Sequence, residues 1–362
     1  MNTSLQVRAR ARGAAMHVAP AHCPRVDVVI PNYNYARYLP QAIASVLSQE
    51  SVDVRAIVVD DASSDDSVAV VREIARTDDR VTVVEHRENR GPVATFNDGL
   101  DLTDAEYIVR LDADDLLTPG SLARSTWLAD RFPNVGLVYG HPLHFAADLP
   151  QARQSITGFT VWTGGSWLEL RCRLGVNCIT SPEVLMRASV VSQIGGQRDL
   201  AHTHDMEMWF RIARHSDVGH LSGCDQAWHR EHDASLSARS VDVMTDLQER
   251  ADAFRVLFEE SDDADSRRLW QLARTALAEE AGTRAVSAFL RGRGGTPETD
   301  GYLRFASEQG IDPAAAPGLM HAQRALSGRA FLGRANPRLI GHSARFRLDR
   351  VILGNRWKAT GL

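Results

Sequence analysis

Val109-Arg110-Leu111-Asp112-Ala113-Asp114-Asp115 puts three carboxylates into four positions, directly behind an apolar, strand-like run that begins at Tyr107. Like charges this close repel and raise one another's pKa. A bound divalent cation removes that conflict. Hard cations such as Mg²⁺ and Mn²⁺ take oxygen ligands, and Mg²⁺ is usually held by one or two carboxylates plus substrate phosphates. Open α/β sheets bind ligands outside the carboxyl ends of their strands, so an acidic loop at a strand end predicts that class of fold and places its site. A lone Asp-x-Asp reads more often as a solvated acidic turn. The sequence on either side therefore decides.

Upstream, Arg25–Ile30 predicts a first strand, ended by Pro31, and Tyr38–Gln49 a helix with Leu39, Ile43, Val46 and Leu47 on one side. Val54–Asp60 is a β-branched second strand, followed by the turn Asp61-Ala62-Ser63-Ser64-Asp65 and a helix over Asp66–Ala75. A third strand at Val81–Glu85, a helix at Gly91–Leu102 and a fourth strand at Glu106–Leu111 complete the approach to the acidic loop. Beyond it come a helix at Pro119–Arg131 and a fifth strand at Val135–Tyr139. This alternation predicts an α/β fold, a Rossmann-like, mostly parallel sheet flanked by helices. After about residue 140 it weakens. Pro182–Met186 reads as another strand and Asp205–His215 as an amphipathic helix, with Glu207 and Arg211 a surface pair four residues apart. Residues 241–328 form a helical region with a Gly-rich break at Arg291–Gly295, and residues 329–362 a basic tail. Residues 1–25 read as a disordered leader.

Composition bounds the partners. The 362 residues, 44% hydrophobic and 24% charged, are those of an ordinary soluble globular protein. No apolar run approaches the roughly 18 residues of a membrane span, and the N-terminal arginines have no apolar stretch behind them to make a secretory signal. The scattered Cys23, Cys172, Cys178 and Cys224 read as reduced thiols of a cytoplasmic protein. The formal charge of −5 conceals +4 on residues 1–25 and +8 on residues 324–362, leaving −17 on the middle. An acidic body argues against nucleic acid as a partner. The basic, partly apolar tail around Arg345–Leu348 and Arg350–Leu353 suits peripheral contact with anionic lipid or packing on that body.

Four clusters follow in order: Pro31-Asn32-Tyr33-Asn34, Asp60–Asp65, the triple-Asp loop, and His204–Arg211, with Trp228–Ser237 after them. In this ordered set, over about residues 26–238, the chain resembles glycosyltransferase family 2, the inverting nucleotide-sugar transferases of GT-A fold. The resemblance sets residues 26–240 as a GT-A domain. It implies that Pro31, Tyr33 and Asn34 line the nucleotide pocket, with Asp61, or else Asp60, contacting the base or ribose. A carboxylate can accept hydrogen bonds from either. Asp61, Ser63 or Ser64 reads equally as an N-cap of the helix near Asp65. Asn89, with Arg90, Gly91 and Asn97, matches a further nucleotide-side segment, which also reads as a plain helix start.

By the same resemblance Asp112 and Asp114 are the metal-binding acids, Asp114 coordinating the cation directly and Asp112 contacting ribose or metal-bound water; Asp115 reads as a contact to the donor sugar or a cap of the next helix. The cofactor implied is Mn²⁺ or Mg²⁺, which neutralises charge on a departing nucleoside diphosphate. Asp205 matches the general base; its neighbour is His204 where the family carries a second acid. Such a base contributes typically ~10²–10⁴-fold. Trp209, four residues on, shares its helix face and offers a wall for a sugar ring, or else is buried. His204 joins the donor-sugar and acceptor side. Arg230 would hold phosphate, and His232 would ligate the metal. Trp162, Trp167 and Asn177 fall where an acceptor pocket forms or are core. A zinc site from His202, His204, His229 and His232 is the weaker rival. The whole implies a sugar transferred from a nucleotide sugar, UDP-linked before dTDP- or GDP-linked, to a hydroxyl of a saccharide, glycolipid or metabolite. The altered His204-Asp205 pair leaves room for a non-catalytic nucleotide-sugar-binding protein of the same fold. The resemblance also leaves room for a homo-oligomer.

Overall fold

The computed structural model describes residues 5–16, 22–232, 242–328 and 333–362. The Ser235-Leu236-Ser237 end of the last cluster and the boundaries drawn at 240 and 329 lie outside them. Two compact units result: residues up to 168 with 178–232, and residues 169–177 with 242–360.

The first unit is built on one sheet. Its elements are β1 (Val7–Met16), β2 (Arg25–Asn32), α1 (Leu39–Leu47), β3 (Asp53–Asp60), α2 (Ser67–Thr77), β4 (Val81–Glu85), α3 (Gly91–Leu100) and β5 (Tyr107–Arg110). There follow β6 (Leu116–Leu117), α4 (Ser121–Arg131), β7 (Val135–Phe145), β8 (Ile156–Trp162), the start of α5 (Gly164–Leu174), β9 (Leu185–Arg187), α6 (Ala188–Ile194), α7 (His204–His215) and β10 (Asp217–Arg230). The strand order is β1-β8-β10-β7-β9-β5-β2-β3-β4, with β6 paired to β10. The β5-β2-β3-β4 half is parallel throughout. Beyond it β9 sits antiparallel between β5 and β7, and β8 runs antiparallel to β10 and β1.

The parallel half follows from its sequence. Val26, Val28, Val29 and Ile30 of β2 and Ala56–Val59 of β3 are fully buried on both faces, as strands covered by helices on either side must be. Helix α3 lies very close to them at Gly99, where a Cβ would fall 2.5 Å from Val29 Cγ1 and 2.9 Å from Val59 Cγ2. Three expectations change. Residues 7–16, read as disordered leader, form β1, whose Arg8, Arg10 and Arg12 stay exposed while Ala9 and Ala11 are half-buried against β8. The strand expected at 182–186 is the three-residue β9. The 14-residue β10 was not foreseen, because its buried interior is partly polar: Gln226 is fully enclosed and bonded to Arg124 Nε, Ser121 O and Ser125 Oγ.

The second unit holds the rest of α5, then α8 (Val243–Glu259), α9 (Ala264–Leu290), α10 (Pro297–Glu308), α11 (Pro317–Leu326) and α12 (Pro337–Thr360). The 27-residue α9 is its axis, packed by α8, α10, α11 and α12.

Candidate active site

The carboxyl ends of β2 and β3 make one wall. Asp60 closes β3 fully buried; Asn32 Nδ2 donates to its Oδ2 at 2.7 Å, and Ser63 donates to it through N (2.9 Å) and Oγ (2.7 Å). Asn34, in the left-handed region at φ 60°, accepts the N–H groups of Ser64 (2.7 Å) and Asp65 (3.3 Å) on its Oδ1. These side chains hold the two loops together. The reading of Asp60 as a nucleotide ligand gives way to a structural one, since it is fully buried and its oxygens accept three hydrogen bonds from within the fold. Tyr33 is 48% exposed and Pro31 half-buried, open to a ligand at the lip of the wall.

Asp61 is also spoken for, and by a helix other than the one expected. It accepts Arg90 N at 2.7 Å and Gly91 N at 2.9 Å, and pairs with His86 Nδ1 at 2.8 Å. It thus caps α3, while Asn89 Nδ2 reaches its backbone oxygen at 3.3 Å. Gly91 has φ +83°, a conformation that strains any side-chain-bearing residue, and that turn aims both N–H groups at the carboxylate. His86 in turn lies 2.9 Å from Asp98, which also pairs with Arg90.

The acidic loop meets the end of β10. β6 pairs Leu116 with Trp228 and Leu117 with Ala227, so two segments far apart in sequence are pinned side by side. Arg230 N donates to Asp115 Oδ1 at 2.7 Å, and His229 Nδ1 lies 3.0 Å from Asp115 Oδ2. Asp115 is 1% exposed, so its expected contact with a donor sugar is replaced by this internal pair. Burial pushes the Asp115 carboxyl up to about 6. Burial disfavours the His229 cation, but the bond to Asp115 and the neighbouring acids outweigh it and lift His229 to about 9. Arg230 donates from Nε to Asp114 O (2.9 Å) and from Nη2 to Gln41 Oε1 (2.8 Å), and its guanidinium lies between the rings of Tyr38 (4.6 Å) and Phe145 (4.5 Å). Nη1 makes no hydrogen bond among the described residues. His232 Nε2 is 2.8 Å from Asp114 Oδ2, its ring set edge-on to Tyr35 and tilted over Tyr38.

Asp205 opens α7 across the site. Ser181 Oγ donates to its Oδ2 at 3.0 Å. Arg110, at the end of β5, reaches Ser181 Oγ at 3.5 Å with Nη1 and Asp112 Oδ1 at 2.8 Å with Nη2. One line of contacts, Asp112–Arg110–Ser181–Asp205, therefore ties the acidic loop to α7. Arg110 is 6% exposed, its Nε has no partner among the described residues, and it lies over Phe96. His204 is buried, facing Leu200 O, and burial together with the charge of Arg110 holds its pKa down. Trp209 is fully buried and belongs to the core, so it makes no wall for a sugar; Trp162 and Trp167 are core as well. Glu207, expected on the surface, is fully enclosed and pairs with Arg211 and Arg198, while Arg211 reaches the carbonyls of Ile194 and Gly196. That network shapes the loop before α7. Beside Ser181, Glu183 accepts Thr180 N on Oε1, and its buried Oε2 has no partner among the described residues. Burial raises this carboxyl to about 8.

The donor set fits a divalent cation. Burial, and then the charge of Asp112, push the Asp114 carboxyl up, a cost that a cation would remove. Asp112 is partly exposed and, with Asp114, offers the oxygen ligands that a hard divalent cation takes, while His232 sets an imidazole nitrogen beside Asp114. Among the described residues no three His, Cys, Asp or Glu side chains form a cluster able to hold a metal ion by itself. Cations that bind with substrate phosphates and water need none. Arg110, Ser181, Tyr35, Tyr38 and Gln41 escaped the sequence reading. Only Arg110 left a signal there, as a charge inside an apolar strand.

Residues 27–193 match the family model described as Glycosyl transferase family 2. An uncharacterised glycosyltransferase of Haemophilus influenzae is 24% identical over 202 residues, 53% of this chain and 61% of that protein. The chain spans about half the length of the curated relatives it matches. Among solved structures, S. aureus TarS 1–349 in complex with UDP-GlcNAc aligns at 15% identity, covering 85% of this chain and 93% of that one, with a TM-score of 0.54. The mannosyltransferase PcManGT from Pyrobaculum calidifontis, in complex with GDP-Man and Mn²⁺, aligns at 22% identity over 92% and 90%, with a TM-score of 0.51. These likenesses establish the GT-A type fold.

Proposed function

The chain belongs to glycosyltransferase family 2 through its residues 27–193, and from that premise we propose that it is a metal-dependent inverting glycosyltransferase with Asp205 as its base. The donor would be a UDP-sugar before a dTDP- or GDP-sugar. The acceptor would be a hydroxyl of a saccharide, glycolipid or metabolite, in a cytoplasmic setting that suits four free cysteines. The observation that carries this reading is the line Asp112–Arg110–Ser181–Asp205. It holds an acid fit to be a base at a fixed place relative to the loop fit to hold a diphosphate.

In this mechanism the exposed Tyr33 and the half-buried Pro31 beside it receive the nucleoside, and Arg230, clamped by Tyr38, Phe145 and Gln41, offers Nη1 to phosphate. Asp112, Asp114 and His232 would hold the divalent cation, whose chemistry is neutralisation of the diphosphate's growing charge. Asp205 takes the proton of the acceptor hydroxyl as that oxygen attacks the anomeric carbon opposite the leaving diphosphate, inverting it. Ser181 donates to Asp205 Oδ2 and Met206 N to its Oδ1 at 2.6 Å, which orients the carboxylate and leaves a further lone pair on each oxygen for the incoming proton. The buried His204 is coupled to this array by Arg110 rather than acting as a second acid.

The test is a pair of variants assayed with candidate donors. Asp205→Asn should keep metal-dependent nucleotide binding and lose ~10²–10⁴-fold in turnover. Asp114→Ala should lose both. Full transfer by Asp205→Asn would remove the base assignment. Nucleotide binding by the native chain with no transfer or hydrolysis of any donor would favour the non-catalytic reading.

A further inference from the structure

Half of the eight large hydrophobic side chains exposed among the described residues lie on one helix: Ile340, Leu348, Val351 and Ile352 of α12, 47–60% exposed. Their spacing of eight, three and one puts them, with exposed Ala344, on a single stripe of a 3.6-residue helix. The helix carries six Arg and Lys and one Asp. Arg338, Arg345 and Arg356 fall along one margin of the stripe, Arg347 and Lys358 along the other, and all five are exposed. The opposite side is committed to α9. Leu339 and Ser343 are buried there, Ser343 Oγ meets Ser287 Oγ at 2.7 Å, His342 Nε2 meets Thr283 Oγ1 at 2.8 Å, and Arg350 donates to Glu280 Oε1 at 2.9 Å. The apolar stripe thus faces outward because its back is fixed.

We infer that the outward face of α12 docks on an anionic lipid surface, its aliphatic stripe entering the headgroup boundary between two rows of cations. The chemistry of the margins selects this occupant. Long cationic side chains on both sides of an apolar strip bury their stems while their heads stay among phosphates. A protein partner would need acids on both flanks and an apolar ridge between them. Asp349, the one acid of the helix, lies off the stripe beside Arg345. No helix among the described residues is long and apolar enough to cross a membrane, so the contact is peripheral. This inference stands apart from the transferase reading and would survive its failure.

The experiment is co-sedimentation of the full chain with vesicles of phosphatidylcholine, alone or mixed with phosphatidylglycerol. Binding should require the anionic lipid and weaken with added salt. L348E/I352E should lower the bound fraction by roughly tenfold or more, with circular dichroism and melting temperature unchanged. Should that variant not fold, the milder V351Q is read in the same assay and should still lower binding. No binding by the native chain, or equal binding by a folded stripe variant, overturns the proposal. So does light scattering that finds a dimer which L348E/I352E turns into a monomer, since the face would then belong to a second copy.

Discussion

At Arg110 an otherwise apolar strand delivers a guanidinium to the point where two functional segments approach. The group contacts Asp112 and Ser181 and reaches Asp205 only through the latter, so it is a positioning residue. Arg110→Gln should cut kcat by ~10²-fold, the order of loss expected from a small misplacement of reacting groups. KM for the donor should change far less, because Asp114 and the nucleotide wall are untouched. Equal losses in both constants, with a lowered melting temperature, would make Arg110 merely structural. Glu183 gives a pH signature. Its carboxyl is lifted by burial from an ordinary 4.5 to about 8, so the folded chain keeps a proton that the unfolded chain has released. Stability therefore falls as pH rises from about 4.5 to about 8. Glu183→Gln should flatten that fall by an amount on the order of a few kcal/mol, read from urea midpoints at pH 5 and 8. The crowding of Asp112 and Asp114 is legible without coordinates because it is local, whereas Asp205 and His232 stand out in the sequence only through the family resemblance. Asp60, Asp61 and Asp115 look identical to those on the page. What sets Asp61 and Asp115 apart is backbone N–H groups brought within 3 Å from distant chain, Arg90 and Arg230, while Asp60 is sealed in by Asn32 and Ser63.

Among the elements, α3 shows how a site loop is fixed from behind. Its start is held by Asp61, and its far end presses on β2 and β3 at Gly99. Asp61→Ala should cost ~1–2 kcal/mol through the lost cap and leave the N–H groups of Arg90 and Gly91 unserved. Gly99→Val should cost ~1–3 kcal/mol by overpacking against Val29 and Val59. Thermal melts of both read this out, and a neutral Gly99→Val would contradict the close approach. The strands β2 to β5 and helices α1 to α4 were legible because each has a single buried stripe or a continuous apolar run. β1, β8 and β10 were not. β10 satisfies its buried Asp225 and Gln226 with Arg153 and Arg124, a polar interior that mimics loop composition.

For the whole molecule, donor and cation binding should be visible as one linkage. A nucleotide at about 100 times its Kd stabilises by ~2.7 kcal/mol. UDP should therefore raise the melting temperature strongly with Mn²⁺ and weakly with a chelator, and Asp114→Ala should erase the difference. Equal protection by UDP in chelator would remove the metal from the donor site. By itself the sequence determined the α/β class, the order of the parallel strands' segments and the loop that gathers acid, because periodicity and like-charge crowding are properties of neighbours along the chain. Only the folded chain decided which acids stay available and which way α12 turns its apolar stripe. Burial and hydrogen bonding are settled between residues such as Asp115 and Arg230, which no local pattern brings together.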